Sequence, residues 1–297
     1  MALKGRIAIV TGAGGGLGRQ HALFLARQGA KVVVNDLNQA AADKVAAEVA
    51  AAGGDALAIA GSVTDEAAVA AMVGRTMDQW GRIDILVNNA GILRDKSFAK
   101  MGLDDFRLVL EVHLMGAVIC TKAVWEIMRT QRHGRIVLTT SSSGLYGNFG
   151  QANYGAAKMA LVGLMQTLAI EGERYNIRVN CLAPTAATQM TDGVLSGDSL
   201  ERLNPSLVSP ALLPLVGADA PTRTILCAGG GHFAAANVTL TQGCHIGSGP
   251  GTGDAVVARL DEVTNRADEL VPGYGFMQAE RELASGGWSQ PVMAVAR

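Results

Sequence analysis

Aromatic residues are scarce. Trp, Tyr and Phe together make up 4% of the 297 residues, too few for a platform on which the bases of a single strand stack. Charge is scarce as well, at 17%, and it nearly cancels: 25 basic against 26 acidic residues leave a net charge of -1. That balance excludes a polybasic nucleic-acid surface and an acidic solvating tail. Cys120, Cys181, Cys227 and Cys244 stand far apart and form no CxxC, so neither a zinc site nor a disulfide framework is expected. Single thiols with apolar neighbours read as buried. No uninterrupted apolar run approaches the roughly 18 residues of a membrane span. The run Ile7–Val10 also falls short of the roughly 7–15 residues of a secretory h-region, and it reads as a strand entering a turn. The expectation is a cytoplasmic chain with no metal, no membrane and no nucleic acid.

Apolar residues are plentiful at 49%, enough for a sizeable core and too many for a disordered chain. Glycine is plentiful too. The 37 glycines follow no collagen period and are too many for a plain helical bundle. Short apolar runs at 6–11, 31–35, 55–60, 83–88, 134–140 and 177–183 alternate with helical patterns at 17–28, 39–52, 65–80, 104–131 and 151–175. Runs such as Ile136-Val137-Leu138 read as strands buried on both faces. Alternating β and α then predicts an α/β fold: a doubly wound, Rossmann-type parallel sheet in three α/β/α layers, within one domain.

The segment Thr11-Gly12-Ala13-Gly14-Gly15-Gly16-Leu17-Gly18 follows the first strand and opens the first helix. Gly12 lets the chain turn, Gly16 lets backbone amides approach a pyrophosphate, and Gly18 lets helix and sheet pack closely. The helix start, with Leu17 in its first turn, presents unpaired N–H groups and partial positive charge to phosphates. Asp36 ends the next strand, about 20 residues on, where a carboxylate accepts from an adenosine ribose. It would repel a 2′-phosphate, and Leu37 beside it offers no basic partner. NAD is therefore expected over NADP.

Tyr154 and Lys158 share a helix face at i and i+4. A nearby ammonium and an oxidised nicotinamide would both lower the phenol from its usual value of about 10, making it a general base. Ser141, at the end of the fifth strand, is placed to hold a substrate oxygen, with Ser142 and Ser143 as neighbours that compete for that role.

The glycine loop, Asn88-Asn89-Ala90-Gly91 after the fourth strand, Ser141, and the Tyr154/Lys158 pair resemble the short-chain dehydrogenase/reductase family. The resemblance implies that Asn89, Ala90 and Gly91 line the cofactor, that Lys158 also binds the nicotinamide ribose, and that Ser141, Tyr154 and Lys158 form the catalytic set. A narrower resemblance rests on Val32–Leu37, on NNAGILRDKSF at Asn88–Phe98, and on GLYGNFGQANYGAAK at Gly144–Lys158. These are similar to the (3R)-hydroxyacyl-CoA dehydrogenase domains of type 2 peroxisomal multifunctional enzymes, in which Ser62 and Val63 would border the adenine. The closing Ala-Val-Ala-Arg is no peroxisomal signal.

Two positions depart from the wider pattern. His113 stands where Asn is common, and relaying a proton and merely packing are equally open to it. Pro184-Thr185 replaces a Pro-Gly, which leaves the carboxamide contacts expected from Pro184 to Thr188 less secure. By resemblance the domain spans 1–250, with a substrate flap at about 190–220 that carries Leu195, Leu203, Leu207, Leu212, Leu213 and Leu215. A C-terminal extension, 251–297, reads helical over 255–269 with Glu262 and Arg266 paired. The resemblance also implies a homodimer or homotetramer formed through the helices 104–131 and 151–175. The substrate is expected to be an acyl-CoA or another apolar secondary alcohol such as a hydroxysteroid. A non-catalytic dinucleotide-sensing or scaffold protein is the alternative from another class.

Overall fold

The computed structural model describes residues 1–187 and 202–288. The chain divides into two compact units, Met1–Ala236 and Asn237–Arg297. In the first, eight strands form one sheet in the order β3-β2-β1-β4-β5-β6-β7-β8. They are β1 Ile7–Val10, β2 Lys31–Asp36, β3 Ala56–Ala60, β4 Ile85–Asn88, β5 Gly134–Thr139, β6 Ile177–Pro184, β7 Ile225–Gly229 and β8 His232–Ala236. All neighbours pair parallel except β7 and β8, which are antiparallel. Gly230 and Gly231, with φ of 58° and 80°, supply the left-handed turn between them, as a two-residue hairpin requires. The expected parallel sheet is thus mostly parallel. Its last two strands escape the sequence pattern because Gly229–Gly231 reads as a break and Ala234–Ala236 favours helix.

The helices are α1 Gly16–Arg27, α2 Gln39–Ala51, α3 Glu66–Trp80, α4 Leu103–Leu110, α5 Gly116–Gln131, α6 Ser142–Tyr146, α7 Ala152–Gly172 and α8 Leu212–Val216. Alternate residues of the same strand face opposite layers, as strand geometry demands. Ile9, Leu86, Ile136 and Val179 pack with Val69 of α3, Val124 of α5 and Leu161 of α7. Ala8, Val10, Val87 and Leu182 pack with Leu25 of α1, Val45 of α2 and Leu212 of α8. Each such fully buried side chain contributes about 1.5–3 kcal/mol relative to exposure.

One expectation needs correction here. Leu212 and Leu215 of the anticipated flap are core residues, at 0% and 1% exposure, because α8 closes the second layer. Leu207 is exposed, Leu203 and Leu213 are half-buried, and 190–201, with Leu195, lies outside the described residues. The helical stretch Leu103–Gln131 contains an 18-residue window of mean hydropathy 1.6, long and apolar enough to cross a membrane by length and composition alone. Counting uninterrupted apolar runs hid this, because polar residues are dispersed along it. In the fold it is a core element: Val109, Ala117, Cys120, Val124 and Met128 are all buried. A π-helical turn, Glu111–Met115, separates α4 from α5.

At the N-terminal edge of the strands Asp84 is fully buried. It accepts from Arg6 Nη1 at 2.7 Å, Arg82 Nη2 at 2.6 Å and the Ile7 amide at 3.0 Å. Burial pushes its carboxyl upward, but the hydrogen bonds from Arg82, Ile7 and Arg6 outweigh that and hold it below the ordinary 3.8. Its contribution to stability is therefore present above that unfolded value and is lost as pH falls through the folded one. Both arginines are at least a third exposed, which weakens the pairs. Asp84→Asn is expected to cost about 2 kcal/mol at pH 7, seen as a lower Tm, with the gap to wild type closing toward pH 3.

The second unit begins earlier than the anticipated boundary at 250. Leu240 bridges Leu270, Thr241 Oγ1 donates to the Val263 carbonyl at 2.9 Å, and Gln242 Nε2 donates to the Asp268 carbonyl at 2.6 Å. These bonds tie 240–242 to the tail rather than to the sheet. The expected helix 255–269 is two short ones, Thr252–Ala258 and Leu260–Val263. Glu262 pairs with Arg259 and Arg266 pairs with Glu269, so the anticipated Glu262–Arg266 pair does not form. None of the described residues 237–288 is buried.

Candidate active site

The site lies at the C-terminal ends of the strands. Thr11 follows β1, and its Oγ1 accepts the amides of Asn89 and Ala90 at 3.0 and 3.1 Å. Asn89 Nδ2 donates in return to the carbonyls of Thr11 and Gly12 at 3.0 and 3.1 Å. The loops after β1 and β4 are thus stapled together. Gly12 is left-handed at φ 60°, and a Cβ there would lie 2.8 Å from Ala90 Cα. A Cβ on Gly18 would overlap the Gly12 carbonyl and sit 2.6 Å from Asn89 Nδ2. Gly16 is also left-handed, at φ 49°, and opens α1, followed by the half-buried Leu17.

No side chain caps α1 and its first turn carries no acid. Its opening amides and partial positive charge fit a dinucleotide phosphate. Asp36 completes the cradle: its Oδ2 accepts from the Gly14 amide at 2.9 Å and its Oδ1 from the Asn38 amide at 3.1 Å. A Cβ on Gly14 would meet Asp36 Cγ at 2.8 Å, so this glycine is required for the carboxylate to close. Ser62 and Val63 follow β3 beside it. Ser62 Oγ lies 2.8 Å from Thr64 Oγ1, and Val63 packs where a Cβ on Gly116 would be.

Ser141 follows β5 by two residues and caps α6, its Oγ accepting the Ser143 amide at 3.2 Å. That cap distinguishes it from Ser142 and Ser143. Its side chain is also the polar group that pulls the Tyr154 phenol down. Lys158 Nζ lies 5.4 Å from the Tyr154 ring centre and donates to the Thr139 carbonyl at 2.6 Å. Gly144 and Gly155 permit this arrangement. A Cβ on Gly144 would lie 2.7 Å from Lys158 Cβ, and one on Gly155 would lie 3.1 Å from the Ser143 carbonyl. Burial pushes the Tyr154 phenol up, opposed by the Ser141 hydrogen bond and reinforced by the charge of Asp95. Burial lowers Lys158 to about 7, with Cys181 opposing. Within the protein alone burial thus raises the phenol, and Lys158 is not among the groups that lower it; the expected lowering also counted on an oxidised nicotinamide.

Residues 6–198 match the family profile described as short chain dehydrogenase. The chain belongs to that family. A short-chain type dehydrogenase/reductase of Mycobacterium tuberculosis is 43% identical over 92% of this chain and 98% of its own length. The peroxisomal multifunctional enzyme type 2 of Drosophila melanogaster is 51% identical over 70% of this chain, a match spanning 36% of that enzyme. The structure of that full-length enzyme superposes with a TM-score of 0.81 at 37% identity, covering 96% of this chain and 49% of the other. A 7α-hydroxysteroid dehydrogenase, solved with NADH and 7-oxo glycochenodeoxycholic acid, gives a TM-score of 0.72 at 32% identity over 77% of this chain and 94% of its own. As a short-chain dehydrogenase the protein is an oxidoreductase acting on alcohol or ketone groups.

Within the family fold, His113 sits in the π-helical turn with its ring against Gly91, where a Cβ would overlap it. Its Nε2 lies 2.8 Å from the Ile92 carbonyl and 3.0 Å from the Ile92 amide. The ring meets Tyr154 edge-on at 5.2 Å. Burial, the charge of Lys158 and the Ile92 contact together leave it at about 3, the first two lowering it. His113 is thus neutral throughout the working range. A pH profile of kcat/KM between 5 and 9 is expected to keep its limbs in His113→Asn; loss of a limb in that variant would refute a silent His113.

Pro184 closes β6 beside the site, half-buried. Thr185 has no left-handed backbone, and its amide donates to the Ala228 carbonyl at 2.8 Å, so the missing glycine costs nothing there. Thr188 lies outside the described residues. Thr11, Gly14, Gly144 and Asn153 matter to the site; they fall inside the quoted motifs, but nothing in the sequence gives them a role, because each acts through contacts made across the fold.

Proposed function

We propose that the protein is an NAD-dependent dehydrogenase that interconverts (3R)-hydroxyacyl thioesters and their 3-keto partners. The observation that carries this reading is the convergence of Ser141, Tyr154 and Lys158, with His113 joining Tyr154 to the Gly91 loop. A bound nicotinamide dinucleotide supplies the hydride acceptor or donor. Gly12, Gly16, Gly18, Asn89, Ala90 and Gly91 shape its cradle, Asp36 takes the adenosine ribose, and Lys158 takes the nicotinamide ribose. Ser141 holds the substrate oxygen. Tyr154, as the phenolate, takes the hydroxyl proton and becomes the neutral phenol, and a protonated Lys158 stabilises the phenolate before that transfer.

Asp36 supports NAD, because a second phosphate would meet its carboxylate. The nearby Arg19 is bound to Glu48, which draws it away from a phosphate. The thioester is supported by the motifs at Asn88–Phe98 and Gly144–Lys158 and by the relationship to the type 2 multifunctional enzyme. Leu103, Leu108, Met115, Met159 and Ile170 are exposed on the helices named for self-association, which supports a homodimer or homotetramer. A steroid alcohol is the second reading, favoured by the likeness to the 7α-hydroxysteroid dehydrogenase. A kinetic panel of (3R)- and (3S)-hydroxyacyl-CoAs and bile-acid alcohols, each with NAD and NADP, tests all of this. The expected result is turnover of the (3R) thioesters with NAD preferred at least about tenfold. Failure to turn over any 3-hydroxyacyl-CoA sinks the first reading, and failure on every alcohol revives the non-catalytic one.

A further inference from the structure

The catalytic helix α7 begins at Ala152, two residues before Tyr154, and no side chain caps it: Gln151 stands at the cap position and makes no cap hydrogen bond. A helix end without a local cap frays, yet this first turn has to hold the phenol in place. What fixes it comes from far away in sequence. Asn153 is fully buried. Its Oδ1 accepts the backbone amide of Tyr154 at 2.8 Å, and its Nδ2 donates to the Arg94 carbonyl at 3.1 Å. Around it, Gln151 Nε2 donates to Asp95 at 2.6 Å, and the Lys96 amide donates to the Gly150 carbonyl at 2.9 Å.

The other end of the same loop is held by His113, whose ring meets both Tyr154 and the backbone of Ile92. The contacts therefore close a ring: Tyr154, Asn153, Arg94, Ile92, His113 and back to Tyr154. We propose that Asn153 is a positioning residue for Tyr154, acting through the loop 92–96 that it fastens to the start of the catalytic helix. The role needs an amide in particular. One end must accept from Tyr154 while the other donates to Arg94, and only a carboxamide does both in this space. A carboxylate of the same shape keeps the first bond, sets oxygen against the Arg94 carbonyl, and buries an unpaired charge next to the phenol. The charged and titratable groups already facing Tyr154 are Lys158 on its own helix, Asp95 on the loop, and His113 on the π-helical turn; Ser141 faces it as an uncharged hydroxyl.

The inference rests on Tyr154 being the base, which Tyr154→Phe tests on its own. The experiment is steady-state kinetics of Asn153→Ala and Asn153→Asp on any alcohol the enzyme turns over, with dinucleotide Kd and Tm measured in parallel. Asn153→Ala is expected to lower kcat at least tenfold with the NADH Kd within twofold. Asn153→Asp is expected to move the alkaline limb of kcat for alcohol oxidation to higher pH, a change that a purely structural residue would not produce. Gln151→Ala, at an exposed contact, loosens the same loop without touching the core and is expected to lower kcat about threefold. A kcat within twofold of wild type in a folded Asn153→Ala overturns the proposal, as does an unmoved pH limb in Asn153→Asp. Should both fail to fold, an unchanged kcat in Gln151→Ala overturns it.

Discussion

Tyr154→Phe is expected to lower kcat by about a thousandfold, the middle of the range for removing a positioned acid–base group, or about 4 kcal/mol of barrier. The substitution deletes one oxygen and little else. The ring keeps its edge-on contact with His113 at 5.2 Å and its place over Lys158. The cradle made by Gly12, Gly18 and Asp36 does not touch the hydroxyl. NADH affinity, read by nicotinamide fluorescence, should therefore stay within about twofold, and Tm should hardly move, because a single neutral hydrogen bond contributes only about 1 kcal/mol. More than a tenth of wild-type kcat would refute the assignment. In the wild type, burial holds the phenol above its ordinary value, so the rate of alcohol oxidation should climb as pH rises through the alkaline range and fall away below it.

Gly18→Ala carries the second large effect. Its added methyl would meet the Gly12 carbonyl and Asn89 Nδ2, a backbone group and a side-chain amide fixed by two hydrogen bonds to backbone carbonyls, in the staple between the β1 and β4 loops. Neither can swing aside as a flexible side chain would. Overpacking of this kind costs about 1–3 kcal/mol, a fall in Tm of about 2–4 °C per kcal/mol for a domain of this size. Because the shift falls on the loop that cradles phosphate, NADH affinity should drop at least about tenfold. Gly15→Ala is the control: nothing lies within 4 Å of a Cβ there, and its φ of -164° is ordinary extended backbone. Equal losses in the two variants would show that the packing argument is wrong.

The strands β1 to β6 and the helix α1 are legible because their signals are local: continuous apolar runs, and glycines where the backbone must turn. The Ser141, Tyr154 and Lys158 set is legible by spacing along two adjacent elements. The residues that hold this set in place are not. Asn153 reads as an ordinary polar residue at a helix start until Arg94 is seen beside it. Gly144 reads as a loop glycine until Lys158 is found where its Cβ would be. Leu212 and Leu215 look like flap residues because a short apolar helix broken by Pro210 and Pro214 gives no sign of which surface it faces. Burial reversed one electrostatic expectation as well, since proximity of Lys158 to Tyr154 says nothing about how much water each loses.

The π-helical turn Glu111–Met115 bears on all of this through helical phase. An α-helix advances about 100° per residue, and a π turn accommodates one residue more than an α turn in the same rise. The rod from Leu103 to Gln131 therefore stays continuous, with the extra residue taken up in the turn that carries His113. Val109 before the turn and Ala117, Cys120 and Val124 after it all reach buried positions, and at about 100° per residue they fall within one arc of about 80°. Deleting one residue within the turn would restore a regular helix. Because the extra residue is taken up within one turn, the flanking stripes would stay in the core, and the change would fall on the His113 ring, which the turn holds against Gly91 and the tyrosine.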